Sequence, residues 1–299
     1  MESKEKSLGP YLALIPAQIF FGSLPVIGKV VLAVLPPMIL VGIRVAITAL
    51  VLFIIQAFRR RIWLKEKGDY WRFAVLSLFG VVLNQLLFIS GLSLTKASNT
   101  SLLAVLIPVF ALTVGSVAGF EKLTSKKIIG IILAAAGVIY LINPRNASFS
   151  SETTIGDILI ICNCLAYGIY VATSKSVITR NGTFRSMMWV FVFASIVCVP
   201  LGVVSISKID VSSVSGNIWL LSVYIAIGAT AAPYLLNAWA LSKVNPSTVA
   251  VFVYLQPLIG FILAVIFLGE HIDSTFLVAA GLIFIGVFLV TRKFVPSET

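Results

Sequence analysis

Apolar runs of about 20 residues recur along almost the whole chain, and short stretches between them hold nearly all of its charge. That is the length a helix needs to cross ~30 Å of hydrocarbon. The runs fall at 11–29, 37–58, 72–94, 98–118, 127–143, 155–175, 186–205, 217–241, 246–268 and 275–292. They predict an all-α polytopic membrane protein with ten transmembrane helices. Punctuation agrees with the pattern. Pro36-Pro37 and Pro246 stand at run starts, where a missing N–H costs little, and Arg59-Arg60-Arg61 closes the second run. The longest connections lie near 59–71 and 144–154, which leaves no space for a soluble domain.

The second half of the chain repeats the first. Ala97-Ser98, Pro108, Glu121 (in Gly119-Phe120-Glu121-Lys122-Leu123-Thr124) and Gly137 find counterparts in Pro246-Ser247, Pro257, Glu270 (in Leu268-Gly269-Glu270-His271-Ile272-Asp273) and Gly286, each 149 residues later. Gly22 and Lys29 match Gly168 and Lys175 at a separation of 146. Each half, 11–143 and 155–292, holds five predicted spans. A unit with an odd number of spans, used twice in tandem, inserts upside down the second time. The expectation is therefore two inverted-topology five-helix repeats, the plan of many secondary transporters. The first run is too long for the core of a cleaved leader and has a partner in the repeat, so it reads as part of the fold.

Charge sets the orientation. Charged residues are only 11% of the chain, against roughly 25% in soluble domains. With the N-terminus inside, seventeen basic residues fall on the inner face, from Lys4 and Lys6 through Arg59–Arg61 to Arg292 and Lys293, and only Lys29, Lys96, Arg145 and Lys208 fall outside. Cytoplasmic loops carry the Lys/Arg excess, so both termini are expected in the cytoplasm. Short loops and this clean bias suit a prokaryotic inner membrane. The net charge of +11 follows from the asymmetry. A nucleic-acid partner is not expected, because the spans interrupt the basic residues and no aromatic-interleaved groove accompanies them.

Enzyme constellations are missing from the sequence. His271 is the one histidine, and no Ser/His/Asp set, metal cluster or nucleotide-binding loop accompanies it. Cys162, Cys164 and Cys198 read as small packing residues inside spans. Neither a cofactor nor a metal is expected, and the partners expected are a small-molecule solute and the lipid bilayer, for a monomer or a dimer.

Polar residues inside the spans are the candidate solute contacts, because an amide in hydrocarbon must face the bundle interior or water. They are Gln18 and Phe21 in the first span, and Asn84, Gln85 and Phe88 in the third. In the sixth, Asn163, Tyr167 and Tyr170 share one helix face; in the eighth, Thr230, Tyr234 and Asn237 do the same; Tyr254 and Gln256 precede Pro257. The alternative for each is hydrogen bonding between helices alone. Pro108 and Pro257, as interior helix prolines, serve either as hinges or as fixed kinks. Glu121 and Glu270 are expected to cap the start of the next helix, with gating as the second reading. Arg44 lies seven residues into its span, about 10 Å deep at ~1.5 Å per residue. It either snorkels, pairs with Asp157 or Asp273, or holds an anionic group of the solute. Lys29 and Lys175 are interfacial anchors or cationic rim residues. Gly115-x-x-x-Gly119 suggests a close helix contact. Every Asp and Glu falls in a loop, a tail or a span end, which favours a facilitator or exchanger over a carrier with a midplane carboxylate relay.

The doubled pattern, with Arg44 in the second span, resembles the ten-span EamA-like branch of the drug/metabolite transporter superfamily over residues 11–292. The copies depart at Gly130, whose counterpart is Ala279. The resemblance implies a carrier of amino acids, amines, sugars, nucleotide sugars or phosphorylated metabolites. The cavity candidates, rich in amides and phenols and poor in charge, narrow this to an amino acid or a similar zwitterionic or amphipathic solute moved by alternating access. A sugar-phosphate or nucleotide-sugar exchanger is the alternative, and it requires Lys29, Lys175 and Arg44 to reach the cavity. A passive channel is the alternative from another class.

Overall fold

The computed structural model describes residues 8–142, 153–207, 209–259, 262 and 274–291; among these, the regular structure is helical, with no strand. Glu270, His271 and Asp273 lie outside the described residues. The first two helices, α1 (Gly9–Leu32) and α2 (Pro37–Phe58), match the first two apolar runs, each with a proline in its first turn. The third run folds as α3 (Gly68–Ser77), a π turn over Leu78–Leu83, and α4 (Asn84–Leu94). The fourth is divided into α5 (Ala97–Leu103) and α6 (Leu106–Val117). Next come α7 (Ser125–Ile142), α8 (Thr154–Asn181) and α9 (Thr183–Ile206). The eighth run folds as α10 (Gly216–Ala226), a π turn over Ile227–Ala231, and α11 (Ala232–Leu241). The last elements are α12 (Pro246–Val251), a 3₁₀ turn at Phe252–Tyr254, and α13 (Ser274–Thr291). Among the described residues, seven helices are long and apolar enough to cross a membrane, and Pro246–Ile259 and Leu277–Thr291 are shorter apolar helices.

Two kinds of interruption recur 149 residues apart. The α5–α6 break at Ala104–Val105 falls where Pro108 has no N–H to give to residue 104. The 3₁₀ turn containing Val253 stands in the same relation to Pro257. The π turns begin at Leu78 and Ile227. Such turns often mark functional sites.

Glycine permits the closest helix contacts. α2 packs along α9 and α7 along α13. A Cβ on Gly42 would sit 3.0 Å from the Cα of Gly202, and one on Gly130 would sit 2.7 Å from the carbonyl oxygen of Gly286. Gly119 has a different role from the helix-contact one its spacing suggested. Its φ is +73°, and a Cβ there would meet nothing within 4 Å. Phe120 N–H bonds the Gly115 carbonyl and Gly119 N–H bonds that of Ser116, the left-handed cap that ends a helix. The sixth run extends to Asn181, six residues past its expected end at 175, because Arg180 and Asn181 are held by the Asp69 carboxylate. Large apolar side chains such as Val26, Leu50, Ile196, Val203 and Leu220 face outward, as a lipid-contacting surface requires. Trp63 and Trp71 are also exposed near Arg59–Arg61, where indoles favour a membrane–water boundary.

Candidate functional site

A cavity of about 730 Å³, open mouth included, lies between the halves of the chain, lined from α1, α2, α4, α5, α6, α8, α11 and residues 253–256. Ala104 and Ile107 line one wall; Val253 and Gln256, each 149 residues later, line another. Both proline-linked breaks therefore face the same space. Pro108 itself is buried, and Pro257 lines a small void behind the cavity together with Tyr254.

Eight of the expected solute contacts line the cavity: Phe21, Asn84, Gln85, Phe88, Asn163, Tyr167, Tyr234 and Gln256. The π turns explain how the polar ones are held. A π turn loosens the regular i→i−4 ladder, and buried backbone carbonyls then require other donors. The Tyr234 hydroxyl lies 2.8 Å from the Gly80 carbonyl and 2.9 Å from Asn84 Oδ1. Asn163 Nδ2 donates to the Asn84 carbonyl at 2.8 Å. At the second π turn, Thr230 donates to the Ile225 carbonyl and Thr48 to that of Ala226. Phe21 and Phe191 meet the Tyr234 ring edge-on at 5.8 and 5.1 Å.

The other five, Gln18, Tyr170, Thr230, Asn237 and Tyr254, stand behind this first layer. Gln18 accepts from Gln256 Nε2 at 2.8 Å, so Gln256 is the member of the pair that reaches the cavity. Tyr254 donates to the Val105 carbonyl at 3.0 Å, across the α5–α6 break. Tyr170 stacks on Tyr167, and Asn237 Nδ2 donates to the Tyr167 hydroxyl at 2.9 Å; both line a smaller void below the cavity. Thr48 and Gly80 were not singled out from sequence. Thr48 was accessible to it, being four residues from Arg44 and so on the same helix face. Gly80 was not, because the Tyr170 ring takes the place of its absent side chain. Cys164, expected to serve packing, also lines the cavity.

Arg44 corrects the reading of a snorkelling or Asp157-paired residue. It is 2% exposed and lines the cavity. Its Nε donates to Thr230 Oγ1 at 2.9 Å, and one terminal nitrogen has no hydrogen-bond partner. Asp157 is engaged elsewhere, and among the described residues no carboxylate forms an ion pair with Arg44. Lys29 and Lys175 do not line the cavity.

Carboxylates fasten both ends of the bundle. Where α5 and α8 begin, Asp157 accepts from Thr95 Oγ1 at 2.6 Å and from Asn99 Nδ2 at 3.1 Å. At the other end, Glu121 caps a helix, but not the following one as its position suggested. It accepts from the backbone N–H of Ser247 at 3.1 Å, from the Ser247 hydroxyl, and from Lys127 Nζ at 2.6 Å, so it caps α12. At that same end Asp69 is fully buried and ties α3 to α8 through Arg180 and Asn181 (2.7 Å). The cavity lining comes mainly from the half of each helix nearer Asp157, including Leu24, Pro25, Thr100, Ser101 and Ile160.

Helices long and apolar enough to cross a bilayer, broken on either side of a shared cavity, define an integral multi-pass membrane protein. The sequence pattern of the EamA-like transporter family matches residues 8–143 and again residues 154–292, and the chain belongs to that family. It is 30% identical over 232 residues to an uncharacterized transporter of Archaeoglobus fulgidus, covering 77% of this chain and 79% of that one. It is 23% identical to the uncharacterized transporter YetK of Bacillus subtilis (97% and 88%), and 27% identical to a WAT1-related protein of Arabidopsis thaliana (72% and 65%). A solved crystal structure at 18% identity has the same fold, with a TM-score of 0.74 over 94% of this chain and 97% of the other. The protein is therefore a membrane transporter of the EamA-like drug/metabolite type.

Proposed function

We propose that this transporter moves an amphipathic organic solute of amino-acid size by alternating access, as a facilitator or exchanger. The observation that carries this reading is the cavity itself, walled by the two halves and lined with amides, phenols and aromatic rings. Ten spans in two inverted five-span repeats, over 11–143 and 155–292, would provide the moving parts. The paired π turns, the paired proline-linked breaks and the twofold family match support that plan. In a bacterial or archaeal inner membrane with both termini cytoplasmic, the Asp157 end would face outward and the cavity would be drawn toward the outside. The described carboxylates fasten helix ends and none lines the cavity, which favours a facilitator over a midplane proton relay.

The phosphorylated-solute alternative loses ground, because Arg44 is the one cation in the described lining. A polyphosphate calls for several cations. The test is uptake into liposomes holding the purified protein. Saturable flux of neutral or aromatic amino acids or their analogues, weakened by Tyr167→Ala or Tyr234→Ala and indifferent to a pH gradient, is the expected result. Flux that never saturates would make the protein a channel. Flux of sugar phosphates only would restore the alternative.

A further inference from the structure

We infer that Arg44 anchors a carboxylate subsite, and that the solute class is a monocarboxylate carrying an apolar or aromatic body. The inference rests on the carrier reading and narrows it.

Arg44 is 2% exposed, in a chain whose surroundings are hydrocarbon and packed helices. An unpaired charge in such a place is costly, and residues of this kind mark solute pathways. The guanidinium is oriented but not satisfied. Nε is held at 2.9 Å by Thr230 Oγ1, whose own proton goes to the Ile225 carbonyl. A terminal nitrogen has no hydrogen-bond partner and, among the described residues, no carboxylate neutralises the charge. Gln85 lines the same cavity, and among the described residues neither of its amide atoms has a hydrogen-bond partner. An arriving carboxylate would supply the missing charge and accept from the idle guanidinium N–H. Charge-assisted bonds of that kind are the strong ones.

The rest of the cavity decides what else the solute carries. Leu24, Phe88, Ile107 and Ile160 offer apolar surface. Among the described residues Arg44 is the only charged side chain in the lining, so one negative charge is matched and a second is not. Among the described residues no lining carboxylate is present for an ammonium group either. A carboxylate without an amine should therefore be held at least as well as the matching amino acid.

A series that shares one phenyl body tests this: 3-phenylpropionate, phenylalanine, phenethylamine and 3-phenylpropyl phosphate. Inhibition and uptake would be followed with purified protein in liposomes, using labelled 3-phenylpropionate and labelled phenylalanine. Saturable 3-phenylpropionate flux is expected, with inhibition falling from the carboxylate to phenylalanine and being weakest for the amine. Arg44→Gln should raise the half-saturation concentration by roughly thirtyfold or more, the size of effect seen when one member of a buried charge pair is removed. Arg44→Lys should recover part of that loss. The ranking on the unmodified protein stands even where Arg44→Gln fails to fold. Saturable transport in which phenethylamine or the phosphate outcompetes the carboxylate would overturn the carboxylate subsite and leave the carrier intact. So would a folded Arg44→Gln that transports 3-phenylpropionate unchanged. Flux of every compound without saturation would instead sink the carrier reading, and this inference with it.

Discussion

Glu121 and Asp157 hold the starts of two helices, α12 and α5, that begin 149 residues apart at Pro246 and Ala97, and they do so with different chemistry. Glu121 combines a half-buried lysine, a hydroxyl and a backbone N–H. The donors that Asp157 receives from the α4–α5 region are a threonine hydroxyl and an asparagine amide, both neutral. Water can replace neutral donors at modest cost, whereas taking Lys127 away from the buried Glu121 strands a buried charge. The end fastened by Glu121 also carries the Asp69–Arg180 link between α3 and α8. The cavity is drawn toward the Asp157 end. The contrast makes the Glu121 end the more firmly fastened of the two.

The comparison can be sharpened by substitution. Glu121→Ala should have the largest effect, because it leaves Lys127 without its counter-charge and the Ser247 N–H without an acceptor. A loss of about 3 kcal/mol is expected, read as a lowered unfolding temperature in detergent, together with increased solvent access at that end. Asp157→Ala removes two side-chain hydrogen bonds to a carboxylate and should cost about 2 kcal/mol. A larger loss for Asp157→Ala than for Glu121→Ala would reverse the ranking of the two ends. Ser247→Ala deletes one hydroxyl and keeps the backbone bond to Glu121, so about 1 kcal/mol is expected in the same assay. Asp157→Asn keeps the shape and exchanges a charge for an amide among neutral donors. It should change stability by less than about 1 kcal/mol, and a loss as large as that of Glu121→Ala would show that an unseen charge depends on Asp157.

The parts of this arrangement legible in the sequence were those with a local signature. Apolar run length located the helices, and proline marked both breaks. A polar residue within hydrocarbon had to point inward, which brought Asn84, Gln85, Tyr167 and Tyr234 to the cavity. The remainder depends on partners far away in the chain. Glu121 and Ser247 are 126 residues apart, and Asp69 and Arg180 are 111 apart; nothing in spacing alone joins them. The π turns have no residue signature comparable to proline. Gly119 was misjudged because a glycine four residues after another fits both a helix contact and a helix cap, and only its positive φ separates the two. Arg44 was recognisable as unusual, but its partner, Thr230, lies on another helix 186 residues away.

In the proposed mechanism, the cavity between the halves is the path of a carrier that exposes it to each side in turn. Counterflow tests this most directly: liposomes holding the purified protein are loaded with unlabelled 3-phenylpropionate or phenylalanine, and a trace of the labelled compound is added outside. A transient accumulation of label above equilibrium, diminished in Tyr234→Ala, is expected. Label that only equilibrates, at a rate linear in concentration and equal with and without internal solute, would contradict it.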